Sequence, residues 1–251
     1  MKREYPILEF DPCTEAIINP SSMKETPFDT KKMIITFFKE ALDRLIEDKE
    51  VIFERTIRGE NPLDVYKFKD SDILISLGQV GCPACAGNLD LFNEMGITKV
   101  IFCGGGGVLD KDIKVGQLLV VEGAIRDEGF SYHYIEPSRY IYTDPVIMDK
   151  IAKYLSDNGI SFTRGLTWTT DAIFRETTEL IKQRKSEGAK IVEMEQAGCI
   201  AVSQYRGFDY GAIIYGGDDV FGDEWDSRSW RSRGSIRYDL ILLCKKLVEI
   251  I

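Results

Sequence analysis

The stretch from Lys190 to Val220 constrains the fold more than any other part of the chain. Ile191-Val192 is an apolar strand end that runs into Glu193-Met194-Glu195. A helical pattern follows from Gln196 to Tyr205 and stops at Gly207. Ala212-Ile213-Ile214-Tyr215 then reads as a buried strand, ending at Gly216-Gly217-Asp218-Asp219. Two buried strands joined by one helix predict a parallel βαβ unit with carboxylates at the strand carboxyl ends. Open α/β sheets gather their ligand sites at that edge. Acids after strands also cap the next helix, whose first N–H groups need acceptors, so ligand binding and capping both stay open for each acid taken singly. Glu193 and Glu195, straddling Met194 where a strand stops, make the stronger case for a ligand-facing pair.

The rest of the chain repeats this alternation. Residues 1–30, with Pro6, Pro12, Pro20 and Pro27, form an irregular arm. A helix is expected over 31–48, with Met33, Ile34, Phe37, Phe38, Ala41, Leu42 and Leu45 on its apolar face. Strands are expected over 51–57, 64–68, 73–77, 100–102, 117–125 and 162–170, and helices over 83–95, 145–157, 176–186 and 229–250. The strand at 100–102 leads into Gly104, Gly105, Gly106 and Gly107, a run that offers backbone N–H groups to an anion. Arg126 to Ser138 has no period and reads as a loop, where binding groups sit. Short buried strands alternating with helices over 1–251 predict one domain: an α/β/α three-layer sandwich around a mixed, largely parallel sheet.

With 251 residues, of which 44% are hydrophobic, the chain can bury a full core. A net charge of -9 argues against a nucleic-acid polymer as partner. No apolar window is long enough to span a membrane and no signal pattern opens the chain, so a soluble cytoplasmic protein is expected. Six cysteines point to free thiols in a reducing compartment. Cys82-Pro83-Ala84-Cys85 opens a helix, the setting of a thiol redox pair, but it lacks the second pair that a structural zinc site needs. His133 is the lone histidine, in a loop that can reach a neighbouring subunit.

Four fragments, VGQLLVVEGAIRDEGFSYHY, TWTTDAIFRET, IVEMEQAG and GGDDV, together resemble the nucleoside phosphorylase superfamily, in its uridine and hexameric purine phosphorylase branch. The resemblance runs from about Ile73 to the C-terminus. It implies cleavage of the N-glycosidic bond of a nucleoside, with inorganic phosphate as co-substrate, no cofactor or metal, and a homodimer or homohexamer. Glu195 would bind the ribose hydroxyls with Glu193, and Met194 would pack on the sugar. Asp218 would protonate the leaving base once burial had raised its pKa, assisted by Arg231, with Arg228 and Arg233 as competitors. Thr170, Ile173, Phe174 and Arg175 fall at the base, although Phe174 is equally readable as a core aromatic. Gly104, Gly105 and Gly106 fall at the phosphate. The pattern departs from the family there: no Gly-Asp-Pro-x-Arg loop occurs in residues 1–30, and Phe102 and Gly105 stand where the family carries an arginine and a Ser or Thr. Arg126 and Arg175 are replacements in charge only. Hydrolysis by water is therefore the rival reaction, and thiol redox chemistry at Cys82 and Cys85 a third reading.

Overall fold

The computed structural model describes residues 2–59, 61–222, 224–230 and 234–251. Alternating side chains sort the central strands onto two apolar faces. Strand β1 (Lys32–Thr36) lies beside β4 (Ile73–Leu77) and β5 (Lys99–Val108), and β5 in turn pairs with β10 (Asp209–Asp219). Met33, Leu74, Val100 and Ala212 point into one hydrophobic cluster, and Ile34, Ile73, Ile101 and Ile213, one residue further along or back, into the other. The period of two leaves no polar face, so both sides must be covered. Helices α2 (Cys82–Glu94) and α5 (Gln196–Arg206) cover the first side; α1 (Lys39–Glu47), α3 (Pro145–Asp157) and α6 (Gly234–Ile250) cover the second. This is the expected three-layer α/β/α arrangement around a mixed sheet.

The sheet holds ten strands in the order β10-β6-β8-β9-β5-β1-β4-β3-β2, with β7 (Tyr140–Tyr142) on β6. Here β2 is Val51–Ile57, β3 Leu63–Phe68, β6 Leu118–Asp127, β8 Phe162–Thr170 and β9 Ala189–Glu193. Because β5 also pairs with β10, the strands β5, β10, β6, β8 and β9 close into a ring, and β1, β4, β3 and β2 extend from it as a wing. Parallel pairs dominate the middle, and antiparallel pairs occur where the ring closes and along the outer hairpins. Helix α4 (Thr178–Ser186) packs against β9 from outside the ring.

Three expectations need correction. The helix expected over 31–48 splits into β1 and α1 around Phe37 and Phe38. Met33, Ile34 and Ile35 fit a helical face by spacing, but β1 lies between two parallel strands and is buried on both sides, which suits consecutive β-branched residues. Second, Gly104 to Gly107 form no loop. They continue β5, with Gly104 opposite Ile214, Gly105 opposite Tyr215 and Gly106 opposite Gly216. They are glycines because neighbours crowd them: a Cβ on Gly105 would sit 2.8 Å from the Tyr215 ring, and one on Gly106 2.6 Å from the Val192 carbonyl oxygen. Third, β9, α5 and β10 are not a parallel βαβ unit. The end of β5 lies between the two strands, antiparallel to β9 and parallel to β10.

Candidate active site

The closed ring brings the ends of β5, β9 and β10 to one cavity of about 790 Å³. It is lined by the glycine stretch of β5, by Glu193 at the end of β9 with Met194 and Glu195 just beyond it, and by Asp218 from β10. Two ligand walls expected at separate strand ends thus meet, although the strands themselves are not neighbours.

The two glutamates have different tasks. The Glu193 carboxylate accepts the backbone N–H groups of Glu195 at 2.6 Å and Gln196 at 2.7 Å, and the Thr169 hydroxyl. These contacts answer the first N–H groups of α5 and are worth about 1 kcal/mol, and Glu193 also lines the cavity. The Glu195 carboxylate accepts the N–H of Gly81 at 2.8 Å through one oxygen, while the other makes only a long 3.3 Å contact with its neighbour's N–H. Gly81 has φ +92°, where a side chain is strained, and this turn before α2 aims its N–H at Glu195. Sequence reasoning missed Gly81, though the glycine before Cys-Pro was its signal. Burial, reinforced by the charge of Glu193, pushes the Glu195 carboxyl well above the usual range; burial does the same to Glu193 against its hydrogen bonds.

At the other end, Asp218 accepts the indole N–H of Trp225 at 2.7 Å. Its neighbour Asp219 instead pairs with Arg228 at 3.1 Å and caps the turn at Phe221. Glu176 lines the same cavity, pushed up to about 7 by burial and then by the charge of Asp218. The fragment TWTTDAIFRET contains Glu176, but nothing in its spacing distinguishes it. Ile173 and Phe174 stand at the rim, Phe174 94% exposed, so it is not a core aromatic.

Beside the glycines the wall is aromatic: Phe37 and Phe102 pack with ring centroids 5.0 Å apart, and Phe38 joins them. Among the described lining residues Arg237 is the one Lys or Arg. It is ion-paired with Glu40, donates to the Tyr215 hydroxyl at 3.0 Å and stacks on Trp230.

A family model described as the phosphorylase superfamily matches residues 31–233. The chain belongs to the phosphorylase superfamily. Its enzymes are nucleoside phosphorylases and nucleosidases, which act on glycosidic bonds, and the phosphorylases take phosphate as co-substrate without a cofactor. Guanosine phosphorylase of Halorubrum lacusprofundi is 25% identical over 169 residues, 67% of this chain and 69% of that one. The fold is shared with uridine phosphorylase from Vibrio fischeri (TM-score 0.73, 19% identity, covering 91% of this chain and 93% of that one). It is shared equally with futalosine hydrolase of Helicobacter pylori (TM-score 0.72, 21% identity, covering 88% and 98%).

Several residues expected at the site do not line this cavity. The Arg126 guanidinium is buried and spent on its own loop: it donates to Ser131 and Ser138 and to the carbonyls of Ile135 and Glu136, and covers the Tyr132 ring. It does not line the cavity. Arg175 is exposed behind Phe174, and the Thr170 hydroxyl accepts the Ala172 N–H in the turn after β8. Arg231 and Arg233 lie outside the described residues. Cys82 and Cys85 are buried, and burial pushes the Cys82 thiol well above its usual range, the reverse of what a reactive thiolate needs. Cys85 contacts Cys199 at 3.7 Å, as part of the packing between α2 and α5. No group of three or more His, Cys, Asp or Glu among the described residues is placed to hold a metal, and no described helix is long and apolar enough to cross a membrane.

Proposed function

We propose that this protein cleaves the N-glycosidic bond of a nucleoside, with Glu195 on the ribose, Met194 against the sugar and Asp218 passing a proton to the leaving base. The observation that carries this reading is the convergence of Glu195 and Asp218 on one cavity from β9 and β10. As the C1'–N bond stretches, the ribose gains oxocarbenium character, which a nearby carboxylate stabilises more than it stabilises the ground state. Protonation at the other end turns the base into a neutral leaving group.

The nucleophile this cavity favours is water. Glu176, Glu193, Glu195, Asp218 and Glu224 line it, and the one described cation, Arg237, is already paired with Glu40. A phosphate dianion entering there meets like charge beside aromatic rings, with no unpaired arginine among the described lining residues to offset it. Phosphorolysis is the second reading, favoured by the relationship to guanosine phosphorylase. A panel of purine and pyrimidine nucleosides, incubated with and without phosphate, separates the two. Free ribose at a rate independent of phosphate is expected; ribose 1-phosphate would establish phosphorolysis instead.

We also infer a homo-oligomer. The aromatics of the loop after β6 are packed within the chain, Phe130 on Tyr134 at 4.8 Å and the Tyr134 hydroxyl on Asp90 at 2.9 Å. Apolar surface is also left at the cavity rim, where Phe174 and Trp225 are 94% and 65% exposed. Light scattering at micromolar concentration should give a multiple of the 28.5 kDa chain mass; a monomer would refute the assembly.

A further inference from the structure

The reaction outlined above leaves two lining carboxyls, Glu176 and Glu224, without a task. Glu176 follows the short turn Ile173–Arg175 and stands half-buried among the apolar lining residues Ile173, Phe174 and Ile181. No hydrogen bond from a described residue holds its carboxyl ionised. Asp218 is placed differently, because the Trp225 indole N–H donates to it at 2.7 Å. Of these two carboxyls, Asp218 accepts a hydrogen bond and Glu176 receives none from a described residue.

We propose that Glu176 is the proton store of the site: in the resting enzyme it carries the proton that Asp218 delivers to the leaving base. This rests on reading the cavity as a nucleoside-cleaving site. One proton moves from the Glu176 carboxyl to the Asp218 carboxylate, and from there to the base nitrogen as the C1'–N electron pair departs with the base. Both carboxyls are then ionised. Water adding to C1' releases one proton, which restores Glu176, so hydrolysis closes without net proton uptake.

Among the described residues, the other titratable or charged groups lining the cavity are Glu193 and Glu195 from the end of β9 and the start of α5, Glu224 after β10, and Arg237 from α6. Asp218 is the group whose charge acts on Glu176, after burial itself. The α4 residues facing in, Thr178 and Ile181, carry no charge. Because the Glu176 carboxyl is held up to about 7, the store is full below neutrality and empties as pH rises through that value.

The test pairs Glu176→Gln with two substrates and one spectroscopic titration. With a purine nucleoside at pH 7, E176Q should lower kcat by roughly 10–100-fold, and the alkaline limb of the rate profile should move to lower pH. With 4-nitrophenyl riboside, whose leaving group needs no proton, the rate should hold. Glu176→Asp should recover part of the loss. In infrared difference spectra from pH 6 to 8, a protonated-carboxyl band should be lost in the wild type and be absent in E176Q. Asp218→Asn should shift that titration to lower pH by removing the neighbouring charge. Equal slowing of both substrates by E176Q, an unmoved alkaline limb, or a titration indifferent to Asp218→Asn overturns the proton-store role alone. A wild-type enzyme that cleaves neither substrate overturns the nucleoside-cleaving reading, and the proposal with it.

Discussion

Replacing Glu195 with glutamine is expected to lower kcat on every nucleoside by roughly a hundredfold or more, the scale of losing one preorganised electrostatic contact. The substitution keeps the side-chain size and the Gly81 N–H contact but removes the charge that answers the developing oxocarbenium ion. The pH profile carries the second signature. Glu195 must be ionised to act, and burial beside Glu193 raises its carboxyl, so activity should fall as pH drops through a range well above that of an ordinary glutamate. In E195Q that acid limb should disappear. Stability should not suffer with it. A buried acid whose folded pKa is raised binds its proton more tightly in the native state, so its contribution falls as pH rises from the unfolded value through the folded one. Removing the ionisable group should therefore leave Tm unchanged or higher, most visibly at alkaline pH. A kcat within a few-fold of the parent, in a folded variant, would show that Glu195 is not on the sugar.

Asp218→Asn is expected to divide substrates by their leaving bases. Asparagine keeps an oxygen for the Trp225 indole but cannot pass on a proton. Nucleosides whose bases leave as poor anions should slow by ~10²–10⁴-fold, the range for loss of a positioned general acid, whereas a base that leaves without protonation should be spared. The split between substrates is what matters. A uniform loss across the panel would mean that Asp218 organises the segment around Trp225 and takes no part in proton transfer. Steady-state kinetics on paired good and poor leaving groups, with circular dichroism to confirm folding, checks this.

Local chemistry settled much of this protein before any long-range contact was considered. The buried strand at 73–77 is legible because a nearly unbroken apolar run of that length satisfies a pleated, doubly covered strand. Helix α3 is legible because Asp144 caps it, accepting the Val146 N–H at 2.8 Å, ahead of Pro145 at its first position. Glu195 and Asp218 stand out in the sequence because polar groups at the ends of such strands have few alternatives to a ligand or a cap, and both line the cavity.

Tertiary structure alone decided which alternative each one took. Glu193 and Glu195 lie two residues apart, yet one turns under α5 to cap it and the other meets Gly81 from a turn more than a hundred residues away. The glycine run reads as an anion loop until β10 and β9 close on it and leave no room for a Cβ. Arg126 reads as a free cation until its own loop folds over it, and Phe37 and Phe38 as one face of a helix until β1 claims the residues before them. Glu176 gives no local signal at all, because its environment is made by Asp218 on a distant strand and by burial in a shared cavity. Periodicity and capping are written in neighbouring residues. Desolvation, close approach and charge coupling depend on what the rest of the chain brings alongside, and those are the terms that separate a structural acid from a chemical one.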